Sequence, residues 1–223
     1  MAIEVSVVRV FTDDRGGHGN PLGIVRADEV AEADRQALAT ELGFSETVFF
    51  TSDGSSRAWA TIYTPAAELP FAGHPTVGLS WWLCQHGTKI DTLSVPASDL
   101  RVRFDGDTTW IRAKASWAPP FVEHQVKTIA EVEATDPASF TDGHHYVWTW
   151  VDEAENSIRS RMFAPDMGIN EDEATGSAAV WITDRLGRGV TIRQGRGSIL
   201  LTTRDDDWIE LGGRTVAGNT IEI

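Results

Sequence analysis

One cysteine, Cys84, is all that the 223 residues contain. A single thiol excludes an intramolecular disulfide and any cysteine-based metal cluster. Basic charge is also scarce: 19 Lys and Arg stand against 33 Asp and Glu, a formal net charge of −14. Nucleic acid and anionic membrane both require a basic surface, so neither is expected as a partner. No apolar run approaches the roughly 18–20 residues of a membrane span. The stretch "MAIEVSVVRVF" carries Glu4 and Arg9 and alternates like a strand, so it does not read as a secretory leader. The expected location is the cytoplasm. In so acidic a chain an anionic ligand needs a local positive site, which helix N-termini and backbone amides supply without Lys or Arg.

What is present suits a globular protein. The chain is 41% hydrophobic and 23% charged, long enough for one large domain or two small ones. Nine tryptophans are expected in the core or at interfaces, because large aromatics carry so much burial area. "IEVSVVRVF", "FSETVFF" and "RAWATIY" read as strands by their β-branched and aromatic content. "EADRQALATEL" reads as a short helix stopped by Gly43. Pro75 is expected at the first position of a helix that runs through "TVGLSWWLCQH" to Gly87. A second apolar helix is expected over "TGSAAVWITDRLG", stopped by Gly187, and "DWIEL" and "RTVAGNTIEI" close the chain as strands and turns. "WAPPF", Trp117 to Phe121, is the linker candidate.

The two helical segments echo each other. "ATIYTPAAELPFAGHPTVGLSWWLCQHG" lies over "SRMFAPDMGINEDEATGSAAVWITDRLG", so that Pro65 meets Pro165, Trp81 meets Trp181 and Gly87 meets Gly187. Each copy has a strand ending in aromatic-x-Pro, a loop, and a buried helix ended by glycine. The pattern predicts two similar lobes, each wrapping strands around one central helix. The expected boundaries are 1–116, with its helix near 75–86, and 117–223, with its helix near 176–186. The last strand is expected to pack back on the first lobe.

If the lobes face each other, both helix mouths open on one cleft. One mouth is Gly73-His74-Pro75; the other is Thr175-Gly176-Ser177, preceded by Glu171, Asp172 and Glu173. Those acids also fit a simple complement to a helix dipole, with Thr175 as N-cap. Glu46 is the third candidate, because a regular strand puts it on one face with Phe44, Val48 and Phe50. It is either at the exposed start of the strand or buried, and burial would raise its pKa toward neutrality.

At this point the residues match a family. "VFT" followed by "GNPLGIV", then "FSET", "FAGHPTVG", "MFAPDMGINEDEATGSAA" and "RQGRGS" occur in order over nearly the whole chain. In these the chain resembles the phenazine-biosynthesis PhzF-like isomerases, which share the diaminopimelate-epimerase fold. The resemblance implies an α+β fold of two lobes, each a β-barrel-like mixed sheet around a central helix, with the active site in the cleft between them. The resemblance implies that Glu46 is the catalytic acid/base, with His74, Asp172 and Ser177 as polar site partners. It also implies that Gly73 and the amides of Thr175, Gly176 and Ser177 hold a substrate carboxylate, and that Asn20 lines the cleft.

The chain departs from the family pattern at three places. Glu173 stands where the family has proline, the segment after Gln194 is compressed to "QGRGS", and the chain is shorter than typical members. A two-base racemase of this fold needs a thiol at each helix mouth. Neither mouth has one, and Cys84 lies late in the first helix, where it reads as core. His144-His145 lacks a third ligand at metal spacing. His18 reads as a loop residue, and Arg196 is a weaker candidate for substrate contact. The expected function is a cofactor-free, metal-free isomerase that moves a proton by acid/base catalysis on a small unsaturated or carbonyl-activated carboxylic acid. The alternative is a non-catalytic carboxylate-binding protein that retains the cleft. The expected partners are that small acid and a second copy of the chain.

Overall fold

The computed structural model describes residues 2–223. The first half of the chain forms β1 (Glu4–Thr12), β2 (Asn20–Arg26), α1 (Arg35–Leu42), β3 (Glu46–Ser52), β4 (Arg57–Tyr63), β5 (Glu68–Leu69), α2 (Gly73–Gln85), β6 (Thr92–Val95), β7 (Ser98–Asp105) and β8 (Thr108–Ala113). The second half adds β9 (Val122–Gln125), α3 (Ile129–Glu133), β10 (His145–Asp152), β11 (Ser157–Ala164), β12 (Ile169–Asp172), α4 (Gly176–Leu186), β13 (Thr191–Gln194), β14 (Ser198–Asp205) and β15 (Trp208–Glu222). Among the described residues no helix is long and apolar enough to cross a membrane.

The strands run in one mixed sheet, in the order β1-β2-β3-β4-β6-β7-β8-β15-β14-β13-β11-β10-β9. β15 also pairs with β1, which closes the first eight strands of that path into a barrel. The barrel surrounds α2, whose residues Gly73 to Ser80 and Leu83 are buried. That explains why the apolar residues of α2 are not confined to one stripe. The second lobe is the open half of the sheet, β15 to β9, with α4 packed on β14 and β15.

The echo extends beyond the helices. β4 and β11, β7 and β14, and β8 and β15 begin 100 residues apart, at Arg57 and Ser157, Ser98 and Ser198, and Thr108 and Trp208. In each lobe the strand after the helix runs parallel to the strand before it, β6 to β4 and β13 to β11. The hairpins also correspond in register: Val48 faces Ile62 in the first lobe, and Tyr146 faces Met162 in the second.

Two local expectations need correction. α2 starts at Gly73, with Ala72 as its N-cap, so Pro75 is the third helical residue and not the first. The opening N–H groups of a helix lack intrahelical partners, so proline is tolerated throughout that turn. "DWIEL" and "RTVAGNTIEI" belong to the single long β15. Gly212 and Gly213 read as a break, yet they are small because neighbours press on the strand: added Cβ atoms would lie 2.4 Å from Trp110 and 2.3 Å from Phe11. Most of the tryptophans lie in the core as expected: Trp110 and Trp148 are buried, and Trp81, Trp82, Trp117, Trp150 and Trp181 pack half-buried against it. Trp208 and Trp150 sit half-buried under Arg112 and Arg188, where their rings serve cations as well as the core.

Candidate active site

The two central helices start against each other. A Cβ on Gly73 would lie 2.7 Å from the Cα of Gly176, and a Cβ on Gly176 would lie 2.6 Å from the Cα of Gly73. No side chain fits at either place, so glycine there is a packing requirement. The contact brings two partly positive helix ends together. Pro75 removes one N–H from the mouth of α2, so the mouth of α4 is the richer in free donors.

Asp172, the last residue of β12, is buried beside that mouth. Its Oδ1 accepts from Asn20 Nδ2 at 2.7 Å, and its Oδ2 accepts from Thr175 Oγ1 at 2.5 Å. Thr175 occupies the N-cap position of α4 but makes no capping bond. Its hydroxyl is committed elsewhere: it donates to Asp172 and accepts from Gln194 Nε2 at 2.8 Å. Gln194 also donates to the Asp172 carbonyl at 3.0 Å. Because Gln194 fills the Thr175 acceptor, the Thr175 proton is directed at the carboxylate. Of the acidic run, Asp172 is the member bonded to the N-cap residue Thr175. Glu171 pairs instead with Arg161, and Glu173 with Arg196.

Glu46 opens β3, and the strand enters the core at once: Thr47, Val48, Phe49 and Phe50 are all buried. Its Oε2 lies 3.3 Å from His74 Nδ1, on a side chain only 14% exposed against 2% for His74. Burial pushes the Glu46 carboxyl up to about 7, with the neighbouring Ser45 hydroxyl weakly opposing. Burial pushes the His74 imidazole down to about 4, which the charge of Asp172 and the Pro21 carbonyl only partly offset. At neutral pH His74 is therefore uncharged, and its contact with Glu46 is not an ion pair. Asp172 is pushed up to about 7, first by burial and then by the charge of Glu46, against the donors Thr175 and Asn20.

Glu46, Asp172, Thr175 and Ser177 line one cavity of about 220 Å³. Its other walls are mostly apolar: Leu69, Phe71, Trp117, Met162, Met167 and Ile169. No Lys or Arg lines it. His74, Asn20, Gly73 and Gly176 stand behind the lining and not in it. Asn20 is committed to the protein: Nδ2 serves Asp172 and Ala174, and Oδ1 accepts from Ser45. It braces Asp172, and the structure gives it no open atom for a ligand.

The two sequence departures at this site compensate each other. Glu173, in the family's proline position, accepts from the backbone N–H of Arg196 at 3.0 Å and from Ser198 Oγ at 2.8 Å. Ser198 Oγ in turn accepts from the Gly19 N–H at 2.9 Å. One carboxylate thus ties down the short turn from Gln194 to Ser198, and the turn holds Gln194 against Asp172. Sequence reasoning passed over Gln194 and Ser198, although both lie in the quoted "QGRGS". It also missed Trp117, Met162 and Met167 as cavity walls.

Among the described residues no group of three or more His, Cys, Asp and Glu side chains is placed to hold a metal ion. His145 is engaged by His124, ring nitrogens 2.9 Å apart, and by the Asp142 carbonyl. His144 instead lines the cavity.

The model of the family described as phenazine biosynthesis-like protein, PhzC-PhzF, matches residues 8–142 and 127–199. A trans-2,3-dihydro-3-hydroxyanthranilate isomerase of Pseudomonas chlororaphis is 29% identical over 216 residues, covering 80% of this chain and 78% of that protein. An uncharacterized isomerase of Pasteurella multocida is 42% identical over 82 residues, 35% of this chain and 28% of that protein. The crystal structure of a PhzF-family phenazine biosynthesis protein from Enterococcus faecalis superposes with a TM-score of 0.82 at 18% identity, over 100% of this chain and 99% of that one.

Proposed function

The chain belongs to the phenazine biosynthesis-like, PhzC-PhzF family, and on that premise we propose that it is an isomerase in which Glu46 moves a proton within a small unsaturated or carbonyl-activated carboxylic acid. The observation that carries this reading is the Glu46 carboxyl itself. It is buried, pushed up to about 7, and set in the wall of a cavity beside an uncapped helix start. A carboxyl poised there gives up and takes back a proton near neutral pH.

The substrate carboxylate sits at the mouth of α4, where the N–H groups of Gly176, Ser177 and Ala178 have no intrahelical partner. Ionised Glu46 takes a proton from a carbon next to the carbonyl or double bond. The electron pair delocalises into that group, and the helix mouth stabilises the developing charge. Protonated Glu46 then returns the proton at another carbon. Nothing is gained or lost, so the product is an isomer. His74 backs Glu46, and Asp172 is held in place by Asn20, Thr175 and Gln194. A non-catalytic carboxylate binder would use the amides but has no use for a raised carboxyl.

The test is incubation with small unsaturated and keto acids in D₂O, followed by NMR. Deuterium enters the substrate at carbon with the native protein. Glu46→Gln lowers kcat by at least about 10²-fold and leaves acid binding within a few-fold. Undiminished exchange in Glu46→Gln removes Glu46 from the mechanism. No exchange with any acid tested in the native protein removes the isomerase reading.

A further inference from the structure

The internal repeat gives Glu46 and Leu69, both in the cavity wall, counterparts in the other lobe. Val48 faces Ile62 in β3–β4, and Tyr146 faces Met162 in β10–β11, with Ile62 and Met162 100 residues apart. Val48 and Tyr146 are therefore equivalent. Two residues earlier stand Glu46, the first residue of β3, and His144, which directly precedes β10 and whose carbonyl accepts from the Val122 N–H. The short strands correspond too, because Leu69 faces Ile62 and Asp172 faces Met162. All four residues at these two pairs of places line the same cavity: Glu46 and Leu69 from the first lobe, His144 and Asp172 from the second. Three of the four are titratable, and the mechanism above leaves His144 without a task.

The His144 ring lies beside Phe121, whose centroid is 5.9 Å away. Its Nε2 is buried and has no hydrogen-bond partner among the described residues. Its neighbour His145 has both ring nitrogens engaged. An imidazole with no internal partner is not fixed in tautomer or ring orientation, and a buried nitrogen without a partner is costly unless a ligand supplies one.

We infer that His144 is a second catalytic residue, placed across the cavity from Glu46 by the repeat, and that it donates a hydrogen bond to the oxygen or nitrogen conjugated with the reacting carbon. This rests on the isomerase reading above. When Glu46 takes the carbon-bound proton, the electron pair moves onto that heteroatom, and the ring N–H meets the growing charge. The pair returns as Glu46 gives the proton back. The preferred substrate is then a monocarboxylic acid with an apolar body, one polar group remote from the carboxylate, and no second anionic group, since no cationic side chain lines the walls.

The experiment compares His144→Phe, which keeps a ring against Phe121, with His144→Gln, which keeps a donor. In the D₂O assay His144→Phe slows exchange by about 10²-fold, and His144→Gln recovers about tenfold of that loss. Benzoate binding, followed by NMR titration, stays within about threefold in both variants if the cavity is intact. Exchange by His144→Phe at the native rate, with Glu46→Gln inactive, overturns this inference and leaves the proposed function standing. A second arm needs no turnover: benzoate is compared with 3- and 4-hydroxybenzoate. At least one hydroxylated acid binds the native protein about tenfold more tightly than benzoate, and His144→Phe abolishes that advantage. An advantage missing from the native protein, or retained in His144→Phe, overturns the contact. Rejection of terephthalate is expected, and binding of terephthalate as tight as that of benzoate overturns the single-anion preference.

Discussion

Replacing Glu46 by glutamine should make the protein more stable, and more so at high pH. The Glu46 carboxyl rises from its ordinary 4.5 to about 7 because the folded chain buries it. The folded state thus takes up a proton between those values. The contribution of this group is intact below pH 4.5 and is lost as pH rises through 7. The rise from 4.5 to about 7 corresponds to roughly 3 kcal/mol at pH 8, and to less than about 1 kcal/mol at pH 5, where the unfolded carboxyl is itself partly protonated. Glutamine fills the same space without a charge to desolvate, so it recovers that difference. For a chain of this size about 3 kcal/mol is roughly 6–12 °C in Tm. Thermal unfolding of both proteins at pH 5 and pH 8 is the assay. His74, lowered by burial, is present in both proteins, whereas Asp172 is raised partly by the charge of Glu46, so the variant also relieves part of that shift and the gain at pH 8 grows. An equal Tm change at the two pH values, or a loss of stability at pH 8, would refute the claim that burial strains this carboxyl. The gain in stability should come with loss of exchange activity, because the group that destabilises the fold is the one that carries the proton.

Two further outcomes follow from the geometry. Gly73→Ala puts a Cβ 2.5 Å from Leu211 and 2.7 Å from the Gly176 backbone, so it should cost about 1–3 kcal/mol in urea unfolding and weaken benzoate binding at the adjoining mouth. Gln194→Leu removes the donor that directs the Thr175 hydroxyl at Asp172, so Asp172 should hold its proton more tightly. The corresponding limb of the kcat/KM pH profile should move to higher pH, and a profile that stays in place counts against the relay.

Much of the architecture was legible because glycines and prolines mark the ends of repeated units. Gly43 and Gly187 end α1 and α4 in left-handed conformation where the sequence puts the stops. Pro75 misled by two residues because its chemistry marks a whole turn and not a position. Gly212 and Gly213 misled because a glycine that makes room for an indole looks the same in sequence as one that turns the chain. At the site, Glu46, His74 and Asp172 stand out in short motifs. Gln194 does not, since its bonds to Asp172 and Thr175 exist only once β13 has paired with β11. His144 was read as half of a histidine pair, while its counterpart position in the first lobe is Glu46, a relation visible only in the register of two hairpins.

The pairing of β1 with β15 matters for how the molecule assembles. Glu4 lies opposite Glu222, and β15 alone fills the gap between β8 and β1 while also bordering the second lobe through β14. Until that strand arrives, the barrel has two open edges, each a row of unpaired backbone groups able to pair with another chain. Contacts between residues so far apart in sequence close late and slowly. β15 comes after the other strands of the sheet in chain order, so neither lobe is completed as a folding unit before β15 docks.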